Sequence, residues 1–93
     1  MFESILKQMR NKVQSKQYFV SFHARKEMLD DELSMDDLEF AIFNGKILER
    51  QRDRATAESK YRLQGEAGDA RPVEVVAKFS QTGKLVVITV YTL

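Results

Sequence analysis

The chain has one histidine, His23. It falls where an aromatic and β-branched run, Tyr18-Phe19-Val20-Ser21-Phe22, gives way to helix signals. The positive end of a helix dipole favours neutral imidazole there, and neutral imidazole can act as a general base. The same position suits a capping or packing histidine. Arg25, two residues on, suits phosphate, a carboxylate or solvent. Carboxylates gather at Asp30, Asp31, Glu32, Asp36, Asp37 and Glu39. Their setting is a helix break and a first helical turn, where acidic side chains complement the dipole. A chain of 93 residues lacks the bulk for a deep sugar cleft around them. With no cysteine there is no disulfide framework, thiolate zinc site or thiol nucleophile, and a lone histidine excludes a multi-histidine metal site. The four glycines are isolated, so no glycine-rich phosphate loop exists, and no serine has a nucleophile-elbow context. Neither a metal nor another cofactor is expected.

Lys and Arg total 15 against 14 Asp and Glu, a net charge of +1. A protein that coats nucleic acid without discrimination carries a clear basic excess, so this class is disfavoured, while a local basic face is not. Charge is unevenly spread: residues 1–45 balance at −2 and residues 46–93 at +3. Arg50, Arg52, Arg54, Lys60 and Arg62 cluster around one loop and strand, which fits a solvated face or a phosphate-contacting edge.

These residues must be held by a small set of elements. Phe2, Ile5, Leu6, Met9 and Val13 recur at helical spacing and predict a helix over 2–15. A short strand follows at 18–22. A second helix over 23–30, capped by Ser21 or His23, turns Ala24, Met28 and Leu29 inward. Ser34-Met35-Asp36-Asp37 resembles a capping box and opens a third helix over 35–43, with Met35, Leu38, Ala41 and Ile42 on one stripe. Asn44-Gly45 closes it, since both residues tolerate the left-handed conformation. The period then becomes alternating. Strands are predicted at 47–51, 60–64, 73–80 and 85–91, with loops over 50–58 and 65–72 and a hairpin turn at 81–84. Tyr61 and Leu63 share one face of their strand, and Lys60, Arg62 and Gln64 the other. The last strand is apolar on both faces, which predicts a central position. Tyr91 falls on the face of Leu85, Val87 and Thr89 by simple alternation. The expected core includes Phe22, Leu38, Ile42, Tyr61, Val75, Val87 and Ile88.

The result is one α+β domain, residues 1–93, with N-terminal helices packed on one face of a three- to four-stranded antiparallel sheet. Met1-Phe2-Glu3-Ser4 lacks the layout of a signal peptide, and no apolar run approaches the ~20 residues that cross a bilayer. The expected compartment is the cytoplasm, with no membrane partner.

Val20-Ser21-Phe22-His23-Ala24-Arg25 with Met28, the helix start at Ser34 to Leu38, and Asn44-Gly45 resemble the front of the bacterial domain of unknown function 4258 family. Tyr61-Arg62-Leu63 with Gly65, Val73-Glu74-Val75-Val76 and Val87-Ile88-Thr89-Val90-Tyr91 are similar to its later strands. The resemblance spans residues 19–92 and leaves 1–16 as a helical extension. One step departs: Asp31-Glu32-Leu33 stands where the family pattern carries an Arg-Gly-Ile-like step. The family's layout resembles the small RelE-type and BrnT-type toxins, which implies a sheet face that handles RNA and a metal-free ribonuclease. Such chemistry needs a base for the ribose 2′-hydroxyl, a cation for the phosphate and an acid for the leaving oxygen. The resemblance assigns these roles to His23, to Arg62 or Lys78, and to Tyr91, with Arg25, Lys60 and Lys78 contacting RNA. An antitoxin or other small protein is the partner it implies. The alternative is a non-catalytic interaction module that docks on a protein or forms a homodimer.

Overall fold

The structure, a computed structural model, describes residues 1–93. In chain order the elements are α1 (Glu3–Gln14), β1 (Tyr18–Val20), α2 (Phe22–Asp30), α3 (Met35–Asn44), β2 (Lys46–Arg52), β3 (Ser59–Glu66), β4 (Pro72–Phe79) and β5 (Leu85–Thr92). The strands form one five-stranded sheet in the order β1-β5-β4-β3-β2. β2 to β5 are antiparallel neighbours, as the alternating pattern predicts. The sheet is nevertheless mixed, because β1 joins it in parallel against β5. Three residues of β1 register with Leu85, Val86 and Val87, and this long-range pairing corrects the expected three- to four-stranded antiparallel sheet. No helix is long and apolar enough to cross a membrane.

All three helices contribute to one core. Met9 and Val13 of α1, Ala24 and Met28 of α2, and Leu38, Ala41 and Ile42 of α3 join Tyr61, Leu63, Val75, Leu85, Val87 and Val90 in a single buried cluster. The α1 helix, which precedes the family-like stretch, is part of that core. Phe22, by contrast, is 86% exposed, and Leu29 and Met35 are also exposed, against their expected inward placement. Phe22 opens α2 on its outer side; Ala24 and Met28 define the inner stripe.

Ser34 and Asp37 form the expected capping box, with Ser34 Oγ accepting from the Asp37 N–H and Asp37 Oδ2 accepting from the Ser34 N–H, each at 3.0 Å. The other end of α3 closes differently from expectation. Gly45 is extended rather than left-handed. Its lack of a side chain serves close packing: a Cβ there would lie 2.5 Å from the Gln64 carbonyl oxygen and 2.6 Å from that of Ala41. Gly65 is tighter still, with a Cβ 2.1 Å from the Ala41 oxygen. Asn44 sews the junction, its amide donating to Phe40 O and Glu66 O and accepting from the Glu66 N–H. The Arg10 guanidinium donates to Ile42 O at 3.2 Å and Gly45 O at 2.9 Å, satisfying carbonyls that a helix end leaves free.

Two irregularities set which residues face which way. The register shifts between Ile47 and Glu49 on β2 and between Val76 and Ala77 on β4, where Val76 pairs with Thr89 but Ala77 pairs with Val87. Ile88 is the extra residue of the second bulge, and it is only half-buried, against the expectation for a central strand. A bulge changes the phase of everything beyond it. Leu85 and Val87 point into the core before it, and Val90 after it. Tyr91 is thereby moved to the opposite face from Leu85 and Val87, which simple alternation does not anticipate.

Candidate functional site

The face of the sheet away from the helices carries three cross-strand rows. In the first, Gln51 pairs with Lys60 on β3, Lys78 pairs with Val86 on β5, and Val86 pairs with Phe19 on β1. The second runs Glu49, Arg62, Val76, Thr89, and the third Gln64, Glu74, Tyr91. Alternation along β3 and β4 puts the polar residues here, and the Ile88 bulge adds Tyr91.

Glu74 is the hub. It is 7% exposed, and it is the one charged side chain among the buried residues. Arg62 Nη1 donates to Glu74 Oε1 at 3.1 Å and Gln64 Nε2 donates to the same oxygen at 3.2 Å, while the Tyr91 hydroxyl donates to Oε2. Arg62 Nε also donates to Glu49 Oε1 at 3.0 Å, and Gln51 reaches that oxygen too. Burial pushes the Glu74 carboxyl up, but the hydrogen bonds from Tyr91, Gln64 and Arg62 outweigh it and leave its pKa below the ordinary 4.5. The bond to Glu74, then burial, holds the Tyr91 phenol above its ordinary 10.0. A charged carboxylate with several donors is stable at this depth because each donor offsets part of the lost hydration.

His23 is 69% exposed at its side chain and stands at the rim, with Nε2 3.3 Å from Glu27 Oε1. No hydrogen bond or ion pair joins it to Arg62 or Tyr91. Glu27 connects the two regions, since its charge also acts on the Tyr91 phenol. Glu27 Oε1 accepts from the Val90 N–H at 3.1 Å, and Asp31 Oδ2 accepts from the Thr92 N–H at 2.8 Å. Ser21 Oγ accepts from the Ala24 N–H as the α2 cap and donates to Ile88 O at 3.0 Å. Side chains of α2 thus continue, along the edge of β5, the pairing that β1 begins.

Arg62 and Tyr91 therefore meet on one carboxylate, as two of the three residues assigned to catalysis. Lys60 and Lys78 lie on the same face, near enough together that both act on the Asp53 carboxyl. Lys78 is paired to Glu58 at 2.8 Å, whereas Lys60 has no carboxylate within ion-pair distance. Arg25 is elsewhere, on the outer side of α2, with Nε donating to Val20 O at 3.3 Å. Sequence reasoning missed Glu74 and Glu27 as organisers. The placement of Glu74 directly opposite both Gln64 and Tyr91 is the signal, but it depends on register, which the sequence does not state. It also missed Phe19, half exposed on the open face beside Val86.

A sheet with one face buried under helices and the other bearing a carboxylate-centred polar network defines a small α+β protein. The chain matches, over residues 20–92, the model of the family described as "Domain of unknown function (DUF4258)", and it belongs to that family. No curated protein and no solved structure matches the chain. After α2, Glu32 takes a left-handed conformation with φ 55° and Leu33 is buried. Asp31 has a use of its own on the Thr92 N–H.

Proposed function

We propose that the open face of the sheet takes single-stranded RNA and cleaves it without a metal, as a toxin-like ribonuclease. The observation that supports this best is the convergence of Arg62 and Tyr91 on Glu74 on a helix-free face. Arg62 uses two of its five N–H donors on Glu49 and Glu74, leaving three for a phosphate. Tyr91 is kept protonated, its hydroxyl held by Glu74, and in this reading it is the acid for the leaving oxygen. In this reading His23 accepts the proton of the ribose 2′-hydroxyl, and Glu27 at 3.3 Å stabilises the imidazolium that results. The 2′-oxygen attacks phosphorus, the bond to the 5′-oxygen breaks, and Tyr91 protonates that oxygen. The product ends in a 2′,3′-cyclic phosphate. Arg62 balances the charge that develops on the phosphoryl oxygens. Glu74 is a positioning residue, holding the cation and the phenol side by side. Lys60 supplies a free positive charge for the backbone, and Phe19 a flat ring on which a base can stack.

End-labelled single-stranded RNA, incubated with the protein in EDTA, tests this reading. It requires cyclic-phosphate ends, lost by roughly a hundredfold or more in His23→Ala. Binding is expected to weaken with salt, and Arg62→Ala to reduce the salt slope by about one. Phe19→Ala is expected to weaken binding about fivefold or more. Undetectable binding at low salt would remove the nucleic-acid reading.

A further inference from the structure

The outer side of α2 carries Phe22, 86% exposed, and Leu29, 79% exposed. Seven residues apart, they lie two turns apart on one stripe, about 10 Å along the helix axis. Leu29 also forms, with Arg25, Met28, Leu33 and Met35, a groove of about 310 Å³ between α2 and the start of α3. Exposed apolar side chains of this size arranged in a line mark a contact surface. Arg25 and Lys26 sit between the two anchors. Neither is in an ion pair, and Arg25 commits only its Nε, to the Val20 carbonyl.

This charge pattern discriminates between occupants. A second copy lying antiparallel across the stripe would match Phe22 to Leu29 of the other copy, as twofold symmetry requires. The same symmetry would bring Arg25 and Lys26 against the second copy's Arg25 and Lys26, so like charges would meet at the centre of the contact. A helix with apolar residues at matching spacing and carboxylates between them satisfies both features. We infer that the outer face of α2 docks an amphipathic helix of a protein partner whose apolar anchors flank acidic residues. The surface is separate from the Glu74 cluster and does not depend on RNA chemistry there.

The probe is a synthetic amphipathic helical peptide with leucines seven apart and glutamates on the intervening outer positions, set against the same peptide with lysines there. Fluorescence anisotropy on the full chain, without RNA, is expected to show saturable binding of the acidic peptide with at least about tenfold preference over the basic one. The double variant Phe22→Ser, Leu29→Ser is expected to lose that binding while melting at the wild-type temperature, since both side chains are exposed. Arg25→Glu with Lys26→Glu is expected to reverse the preference. Absence of binding, or equal binding of both peptides, overturns the inference. So does a dimer in sedimentation that the double serine variant dissolves, which would give the face to a second copy.

Discussion

On the helix-covered side of the sheet, Tyr61, Leu63, Val75 and Val90 join Leu38 and Ile42 in one core; on the other, their immediate neighbours Arg62 and Tyr91 converge on the carboxylate of a third, Glu74. The strands are the same and the residues alternate, yet the two faces depend on position differently. The covered face is held by close packing, where a single methyl group matters. The open face is held by partners, where loss of one donor leaves a charged group short of hydrogen bonds. A register shift would be costly on the first and would dismantle the second, so the bulge at Ile88 serves both. It keeps Val90 in the core and brings Tyr91 to Glu74.

The largest effect is expected where the covered face is tightest. Gly65→Ala puts a Cβ 2.1 Å from a backbone oxygen and 2.9 Å from Asn44 Oδ1, and neither α3 nor β3 can move away freely. A loss of at least about 3 kcal/mol is expected in urea unfolding. Gly68→Ala, whose added Cβ meets only a side-chain atom, Asp37 Oδ1 at 3.3 Å, is the control and is expected to stay within about 1 kcal/mol.

Next comes the contrast between adjacent residues of β3. Leu63→Ala opens a cavity under α3 and is expected to cost about 2–5 kcal/mol. Arg62→Ala is expected to cost about 1–2 kcal/mol, because Gln64 and Tyr91 still hold Glu74. Equal costs would mean that the faces are not distinct in the way described. On β5 the same test straddles the bulge. Val87→Ala is expected to cost about 2 kcal/mol and Ile88→Ala about 1 kcal/mol, measured by the same unfolding.

The smallest effect is the pH dependence of the open face. Glu74 has a folded pKa below its ordinary value, so the unfolded chain binds its proton more readily. Its contribution is therefore present above the ordinary carboxylate pKa of 4.5 and is lost as pH falls through the folded value. Glu74→Gln is expected to flatten that part of the acid unfolding curve, while Leu63→Ala lowers the whole curve without changing its shape.

Much of this organisation was legible in local pattern. The three helices, the Ser34–Asp37 box and the four antiparallel strands follow from spacing and turn chemistry over a few residues. What was not legible is long-range. Tyr18-Phe19-Val20 reads as a strand, but nothing nearby says that it runs parallel to β5. The bulges were invisible, and with them the half-buried setting of Ile88 and the true face of Tyr91. The outward placement of Phe22 and Leu29 was missed because aromatic and leucine side chains are ordinarily counted toward the core. For the site, Arg62 and Lys60 were placed correctly on one face by alternation, whereas Glu74 and Glu27 owe their roles to neighbours in other strands and in α2.

The sealing of the β5 edge by β1 and α2 also has a consequence for the order in which the chain folds. Ser21 and Ile88 are 67 residues apart, so their contact closes most of the chain into one loop. The antiparallel strands need only short loops to find one another, so β2 to β5 can zip locally while β1 waits. Ser21, Glu27 and Asp31 have no strand edge to hold until β5 is in place. The α2 segment then latches last and, with only three strand residues behind it, is the part of the fold expected to let go first. In native-state hydrogen exchange the amides of Val90 and Thr92, whose acceptors are side chains rather than a neighbouring strand, would report that unlatching ahead of global unfolding.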